Sequence, residues 1–300
     1  LLEHRGMLNH LFAKVNDLGL TATDCIAQTA SSSFDISIWQ MFAPLLVGGS
    51  VRIYSDKVAK DPDLLLLDVD AKGITVIELV PTMLHMSLEL TNFPLTKVRW
   101  MISTGEALSM ELAKRWLEHY PNIPLINAYG PTECSDDVTH HIIKNLEELN
   151  GSIVPIGRPI QNTQLYILDR YNQPVPQGVI GELCVAGDGV GRGYLNDPEK
   201  TNHSFIKNPF GEGRLYRTGD LTRYLTDGCI VFLGRKDEQV KVRGHRIEVA
   251  EIEQVLNTSP LVDQAVVSVM PNENKTDKKI IAYVKNSRNQ HIEHKELVSN

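Results

Sequence analysis

Apolar positions in the first half of the chain fall into two alternating textures. Met7 to Leu18 carries its apolar residues at helical spacing and stops at Gly19. Ile36 to Leu46 repeats that pattern and stops at Gly48-Gly49. Leu64 to Ala71, Thr82 to Leu90 and Met110 to His119 also read as helices; Pro81 suits a first helical turn and Ser109 is placed to cap. Between them lie short runs that read as strands: Val51 to Tyr54, Ile74 to Leu79, Val98 to Ile102 and Leu125 to Ala128. Strand and helix units of this length predict parallel strands joined by crossover helices.

Beyond about residue 150 the pattern changes. Gln164 to Leu168, Glu182 to Ala186, Leu215 to Arg217 and Cys229 to Leu233 are short strands. Turn chemistry separates them at Asn172-Gln173-Pro174, Gln177-Gly178 and Asp227-Gly228. This predicts a mostly antiparallel, barrel-like part. A third texture begins near Arg235. Gln239 to Arg243 reads as a strand, and Glu248 to Leu256 as a helix with Val249, Ile252, Val255 and Leu256 on one face. Asp263 to Val269 and Ile280 to Val284 are further strands. A boundary is placed near Gly234 to Asp237. The fold class is therefore α/β: parallel α/β layers, a barrel-like part, then a small α+β unit.

Composition narrows the function without naming it. The chain has 300 residues, 42% hydrophobic and 22% charged, which is enough apolar mass for a large core. A formal net charge of -7 with dispersed basic residues argues against nucleic-acid binding. Cys25, Cys134, Cys184 and Cys229 are far apart and form no Cys-x-x-Cys pair, so the chain fits a reducing cytoplasm better than a disulfide framework or a zinc site. No apolar run approaches the roughly 20 residues of a membrane helix, and no signal peptide is visible.

The segment that points most strongly to chemistry is Asn127-Ala128-Tyr129-Gly130-Pro131-Thr132-Glu133. It leaves the C-terminal end of a strand, where open α/β sheets bind ligands. An aromatic ring, a hydroxyl and a carboxylate suit a base, a phosphate and Mg²⁺; a Gly-Pro turn after a buried strand accounts for the segment equally well. In Tyr216-Arg217-Thr218-Gly219-Asp220, the Asp can take both hydroxyls of a ribose or simply form an Asx turn. Gly187-Asp188-Gly189-Val190-Gly191-Arg192-Gly193 is Gly-rich, but a turn follows it rather than a helix, so it reads as a tight structural loop and not a phosphate cradle. Arg235-Lys236-Asp237 is either a hinge or a solvated linker. Asp35, before an apolar segment, is either a helix cap or a carboxylate waiting for a cation.

Taken in order, Phe34-Asp35-Ile36-Ser37, Asn127 to Glu133, Gly187 to Gly193, Tyr216 to Leu221 and Gly234 to Asp237 resemble the adenylation domains of nonribosomal peptide synthetases, within the wider adenylate-forming group. The resemblance runs over essentially the whole chain. It implies residues 1–235 as a large adenylation subdomain without its N-terminal part, and 236–300 as the start of a small C-terminal subdomain. The family's phosphate loop would precede Leu1 and its catalytic Lys would follow Asn300, so these 300 residues alone are expected to be inactive.

The resemblance also implies a reaction and its residues. An amino-acid carboxylate attacks the α-phosphate of ATP, giving aminoacyl-adenylate and pyrophosphate; a carrier domain's phosphopantetheine thiol then takes the aminoacyl group as a thioester, releasing AMP. Asp35 pairs with the substrate ammonium, Thr132 contacts the α-phosphate, and Glu133 holds Mg²⁺. Tyr129, with Ala128 and Gly130 beside it, faces the adenine. Asp220 takes the ribose, with Arg235 near ribose or phosphate, and Thr132, Glu133 and Arg235 count as catalytic. Asp237 is the hinge. Implied partners are the amino acid and the carrier and condensation domains of one synthetase; a small activating protein is left open. The substrate pocket falls on Asp35, Ile36, Trp39, Glu78, Ile102, Thr104, Ala128, Asp136 and Asp137. Buried carboxylates without partners are costly, so Glu78, Asp136 and Asp137 predict a basic substrate: Arg first, then Lys or ornithine. Trp39 and Ile102 leave Tyr open, and Asp136 and Asp137 as outward-facing loop charges are the alternative. A non-catalytic remnant or carrier-docking module of the same fold is the rival function.

Overall fold

Five β-branched or apolar runs line up as the parallel core of a seven-stranded sheet in the computed structural model, which describes residues 1–89, 93–237, 239–259, 261–271 and 278–286. The strands are β1 (Cys25–Gln28), β2 (Ser50–Ile53), β3 (Val76–Leu79), β4 (Trp100–Ser103), β5 (Leu125–Tyr129), β6 (Thr139–Ile143) and β7 (Arg158–Pro159), in the order β2-β1-β3-β4-β5-β6-β7. β1 to β5 pair in parallel, while β6 and β7 pair antiparallel. α1 (His4–Leu18) precedes β1, and the crossovers carry α2 (Ile36–Phe42), α3 (Asp56–Ala59), α4 (Pro62–Lys72), α5 (Pro81–Leu88) and α6 (Met110–His119). α5 ends before Leu90, which lies outside the described residues.

Strand alternation then divides the sheet into two faces. Ile77, Leu79, Met101 and Leu125 pack against Leu65, Leu84, Leu112 and Trp116 of α4, α5 and α6. Val76, Ile102, Ile126 and Ala128 pack against Leu11 and Leu18 of α1 and Trp39 of α2. Glu78 lies two residues after Val76, so period two turns it toward the α1–α2 face as well. Whatever α1 and α2 present inward therefore meets the floor made by β3, β4 and β5.

A second sheet carries β8 (Thr163–Leu168), β9 (Gly181–Gly187), β10 (Phe205–Lys207), β11 (Arg214–Tyr224) and β12 (Ile230–Arg235), with α7 (Pro198–Ser204) before β10. All its pairings are antiparallel. The barrel-like part is in fact an open sheet. β10 and β12 share one edge of the long strand β11, so the sheet is four strands wide at any level, short of closure. β11 is irregular between Arg217 and Leu221, where Gly219 takes a left-handed φ of 75°.

The chain divides into two compact units, Leu1–Lys236 and Asp237–Asn300. The second contains a hairpin of β13 (Val240–Val242) and β14 (His245–Ile247), then α8 (Val249–Thr258), then β15 (Val262–Pro271) paired antiparallel with β16 (Lys278–Asn286). Arg243 and Gly244 turn the hairpin with φ of 50° and 77°, as a two-residue connection with right-handed strand twist requires. No described helix is long and apolar enough to cross a membrane.

Candidate active site

The strand order β2-β1-β3-β4-β5 places a topological switch point between β1 and β3, and a crevice forms beyond the C-terminal ends of such strands. The segments after β1, β3 and β5 meet there. After β5 the chain turns sharply: Gly130-Pro131, a single 3₁₀ turn Thr132–Cys134, then Ser135 and Asp136 in left-handed conformations. Only glycine fits at 130, because a Cβ there would lie 1.9 Å from the Asp136 carbonyl oxygen. The turn thus folds back so that Thr132 and Asp136 both return to the crevice.

Thr132 Oγ1 donates to Asp35 Oδ2 at 2.5 Å. Asp35 also caps α2, its Oδ1 accepting from the Ile36 N–H at 2.9 Å. The helix-cap reading of Asp35 is met by Oδ1, while Oδ2 faces the turn after β5. Glu133 is buried beside them, its Oε1 accepting from the Tyr194 hydroxyl at 2.6 Å. The Gly-rich loop 187–193 packs its backbone on this turn, with the Gly191 N–H donating to the Glu133 carbonyl at 2.9 Å. A turn separates the loop from α7, so it is a structural brace and not a helix-borne phosphate cradle.

A second group links the two sheets. The Tyr129 hydroxyl donates to Asp220 Oδ2, and Arg235 Nη1 donates to Asp220 Oδ1 at 2.9 Å and to the Thr218 carbonyl at 2.7 Å. Asp220 and Arg235 are direct cross-strand partners in the β11–β12 register. Burial, reinforced by the Asp220 charge, raises the Tyr129 phenol well above its ordinary range, so it stays a hydrogen-bond donor. Asp237 opens the second unit, its Oδ1 accepting from the Gln239 N–H at 3.2 Å.

The third group occupies the α1–α2 face. Glu78, Asp136 and Asp137 are all buried, so neither Asp points outward. They are not, however, left without partners. Lys14 of α1 is completely buried, with Nζ 2.5 Å from Asp137 Oδ2 and 3.9 Å from Glu78 Oε1. It also sits over the Trp39 ring, 4.6 Å from the centroid. Glu78 Oε2 accepts from Trp39 Nε1 and Gln40 Nε2, both at 2.9 Å. Asp137 additionally faces His10 at 3.6 Å and His140 at 3.2 Å. Asp136 has the thinnest company: His10 Nδ1 lies 3.7 Å from Oδ2, which accepts no hydrogen bond among the described residues. The expectation that a substrate must supply the only cation for these acids is corrected, since Lys14 already supplies one.

The charges sort accordingly. Burial pushes Asp137 upward, but the Lys14 charge and hydrogen bonds from His10 and His140 outweigh it and hold its carboxyl well below the usual range. Burial and the neighbouring Asp137 charge push Asp136 well above it. Burial raises Glu78 to about 7 against the opposing charge of Lys14. Burial makes His10 a weaker base. Ile102, Ala128, Thr104 and Trp39 are buried as well; Ile36 stays partly open. Sequence reasoning identified the acids and missed Lys14, His10, Gln40 and His140, which reach them from α1, α2 and β6.

Comparison with known proteins identifies the family and the fold. Residues 1–195 match the family model "AMP-binding enzyme". The chain is 44% identical over 268 residues to tyrocidine synthase 1 of Brevibacillus parabrevis, covering 89% of this chain and 24% of that protein. Its fold matches an artificially fused adenylation–PCP di-domain synthetase from Klebsiella oxytoca, with a TM-score of 0.88 and 26% identity over 100% of this chain and 55% of that one. It also matches the Vibrio cholerae adenylation domain AlmE in complex with glycyl-adenosine-5'-phosphate, with a TM-score of 0.86 and 28% identity over 99% and 56% of the two chains. The chain thus spans about a quarter of that synthase and about half of each solved chain. It belongs to the AMP-binding enzyme family, and its sequence and fold match the adenylation domains of nonribosomal peptide synthetases.

Proposed function

We propose that this chain is the part of an adenylation domain that binds a basic amino acid and the nucleotide, within a polypeptide that makes the aminoacyl-adenylate with release of pyrophosphate and then passes the aminoacyl group to a carrier-bound phosphopantetheine thiol with release of AMP. The observation that carries the reaction is the Thr132–Asp35 contact of 2.5 Å. It sets a carboxylate suited to a substrate ammonium beside a hydroxyl suited to the phosphate that the substrate carboxylate must attack.

Attack by a carboxylate on a phosphate brings anion onto anion, so catalysis rests on positioning and on electrostatic stabilisation. In this scheme Asp35 exchanges its Thr132 partner for the substrate ammonium, which frees the Thr132 hydroxyl to donate to the α-phosphate. Asp220 takes the ribose hydroxyls while Arg235, its cross-strand neighbour, keeps its charge near ribose and phosphate. Tyr129 offers its ring to the adenine. A buried carboxylate braced by Tyr194 suits Mg²⁺, which binds through one or two carboxylates plus substrate phosphates. Glu133 would be that ligand, and the ion would offset phosphate charge. The carrier domain of the same synthetase is a proposed partner, which the adenylation–PCP relative supports, and its condensation domain is the other partner that the family resemblance implies. A small activating protein stays open, and the cytoplasm remains the proposed location.

For the amino acid, we infer Arg first and Lys or ornithine next. Three buried carboxylates face one buried ammonium, and Asp136 is the acid that Lys14 leaves open. This moves the role of reading the substrate cation from Glu78 to Asp136. The resident cation favours a second reading, a neutral hydrogen-bonding side chain met by protonated Asp136. Asp136→Asn, measured by ATP–pyrophosphate exchange on the full-length polypeptide, separates them. Losing one member of a buried charge pair typically costs about 2 to 5 kcal/mol. Arg-dependent exchange should therefore fall about thirtyfold or more, at about 1.4 kcal/mol per factor of ten. An unchanged Arg rate contradicts the basic-substrate reading.

A further inference from the structure

The nine pocket positions carried over from the family lie on α2, β3, β4, β5 and the turn after β5, and none lies on α1. Yet α1 places its most buried polar side chains among them. Lys14 is 0% exposed and touches three of the nine positions: Trp39 through its ring face, Glu78 and Asp137 through ion pairs. One turn earlier, His10 is 4% exposed and faces Asp136 and Asp137. Positions i and i+4 share one helix face, so His10 and Lys14 form a polar pair within the stripe that Leu11 and Leu18 make apolar.

A fully buried ammonium is costly unless paired, and neither Leu11 nor Leu18 needs it for packing. Its place is explained by the acids around it. Oxygens of Asp136 and Asp137 and a ring nitrogen of His10 also lie within 4.8 Å of one another, a spacing a metal ion can use. Lys14 Nζ already sits 2.5 Å from Asp137 Oδ2, however, so a divalent cation there would have to displace an ammonium.

We propose that Lys14 is a specificity-determining residue of the amino-acid pocket: a resident ammonium that occupies two of its three deep carboxylates and leaves only Asp136 for a substrate cation. The proposal rests on the assignment of this crevice as the amino-acid pocket. With Lys14 present, a substrate guanidinium meets one open acid and a like charge behind it. Without Lys14, Glu78 and Asp137 become acceptors too, and the pocket gains attraction for cationic side chains over neutral ones of the same shape.

The test compares Arg with citrulline, its neutral counterpart of nearly equal size, on the full-length polypeptide. Parent, Lys14→Met and the double variant Lys14→Met/Asp137→Asn are assayed by ATP–pyrophosphate exchange. The double variant removes both members of the pair and so avoids stranding a buried charge. The ratio of kcat/KM for Arg over citrulline should rise at least tenfold in both variants, with the KM for ATP within twofold of the parent. A structural role alone would lower both amino acids together. A folded double variant with an unchanged ratio, while the parent still exchanges, overturns the role of Lys14 alone. A parent that exchanges with no amino acid overturns the pocket assignment and the proposal with it.

Discussion

Asp136 and Glu78 differ in the partners that reach them. Glu78 gives Oε2 to Trp39 and Gln40 and turns Oε1 toward Lys14. Among the described residues, Asp136 Oδ2 faces a distant His10 and accepts no hydrogen bond. Glu78 is thus a structural acceptor whose charge, when ionised, offsets that of Lys14. Glu78→Ala would leave the Trp39 indole N–H and the Gln40 amide buried without an acceptor, a loss of about 2 kcal/mol visible as a lower denaturant midpoint. The raised Glu78 carboxyl gives the pocket a pH signature. Burial lifts it to about 7, so below that pH it is protonated and attracts a cation weakly. Lys14, Asp137, Gln40 and Trp39 face it, and its ionisation adds negative charge to the pocket near neutrality. The kcat/KM for Arg should therefore rise between pH 6 and 8 relative to that for citrulline. A flat ratio over that range contradicts a role for Glu78 charge in recognition. Much of this site is legible in the sequence: Asp35, Thr132, Glu133 and Asp220 stand in ordered motifs, and the three deep acids fall on pocket positions that the resemblance implies. Lys14 and His10 are harder to find, although their signal is present. They interrupt the apolar stripe of a helix whose neighbouring turns read Met7, Leu11 and Leu18. Periodicity assigns the helix but does not by itself explain why a cation stands on its inward face.

At the scale of elements, the pattern predicts most strands and helices and fails where local chemistry overrules it. The apolar run Ile36 to Leu46 reads as one helix, yet α2 stops at Phe42 and a 3₁₀ turn covers Pro44–Val47. Pro44 has no N–H to donate and its ring would crowd the carbonyl of Gln40 in a continuing helix. β1 and β6 escape notice because Gln28 and Thr139-His140-His141 dilute their apolar content, though neighbouring strands pair them on at least one side. Ser109 behaves as expected, its hydroxyl accepting from the Leu112 N–H at 3.1 Å. Ser109→Ala should cost about 1 kcal/mol in chemical denaturation, and Ser109→Asp should recover most of it. A loop anchor offers a test with a pH sign. Asp24 accepts from Arg99 Nε and Nη2, both at 3.0 Å, and from the Thr21 N–H at 2.8 Å. Burial raises its carboxyl, but the bonds from Arg99, Thr75 and Thr21 outweigh it and hold it below the ordinary carboxylate range. A depressed acid contributes stability above its unfolded value and loses it as pH falls through the folded one. Asp24→Asn should therefore destabilise by about 1–2 kcal/mol at pH 7, a figure kept modest because Arg99 is partly exposed. The gap between parent and variant should close as pH falls below 4.

For the whole molecule, the division between Lys236 and Asp237 is the feature with consequences for the reaction. On the near side, Glu182 grips the end of the first unit: it takes Lys236 Nζ at 2.8 Å and Arg217 Nη2 at 2.7 Å. Asp237 is the first residue beyond that anchor, which supports the proposal that it is the hinge. Pro at this position fixes φ near -65°. Asp237→Pro should impair thioester formation at least tenfold more than adenylation, read by comparing carrier loading with pyrophosphate exchange. Equal losses in both would remove the hinge assignment.

The pocket predictions descend from one claim, that the crevice after β1, β3 and β5 binds a basic amino acid for adenylation. Amino-acid-dependent ATP–pyrophosphate exchange on the full-length polypeptide, run across the common amino acids with ornithine and citrulline added, tests it directly. The account predicts the fastest exchange with Arg, then Lys or ornithine, with citrulline at least tenfold slower than Arg. Fastest exchange with Leu or another uncharged side chain, or none with any amino acid, would contradict it.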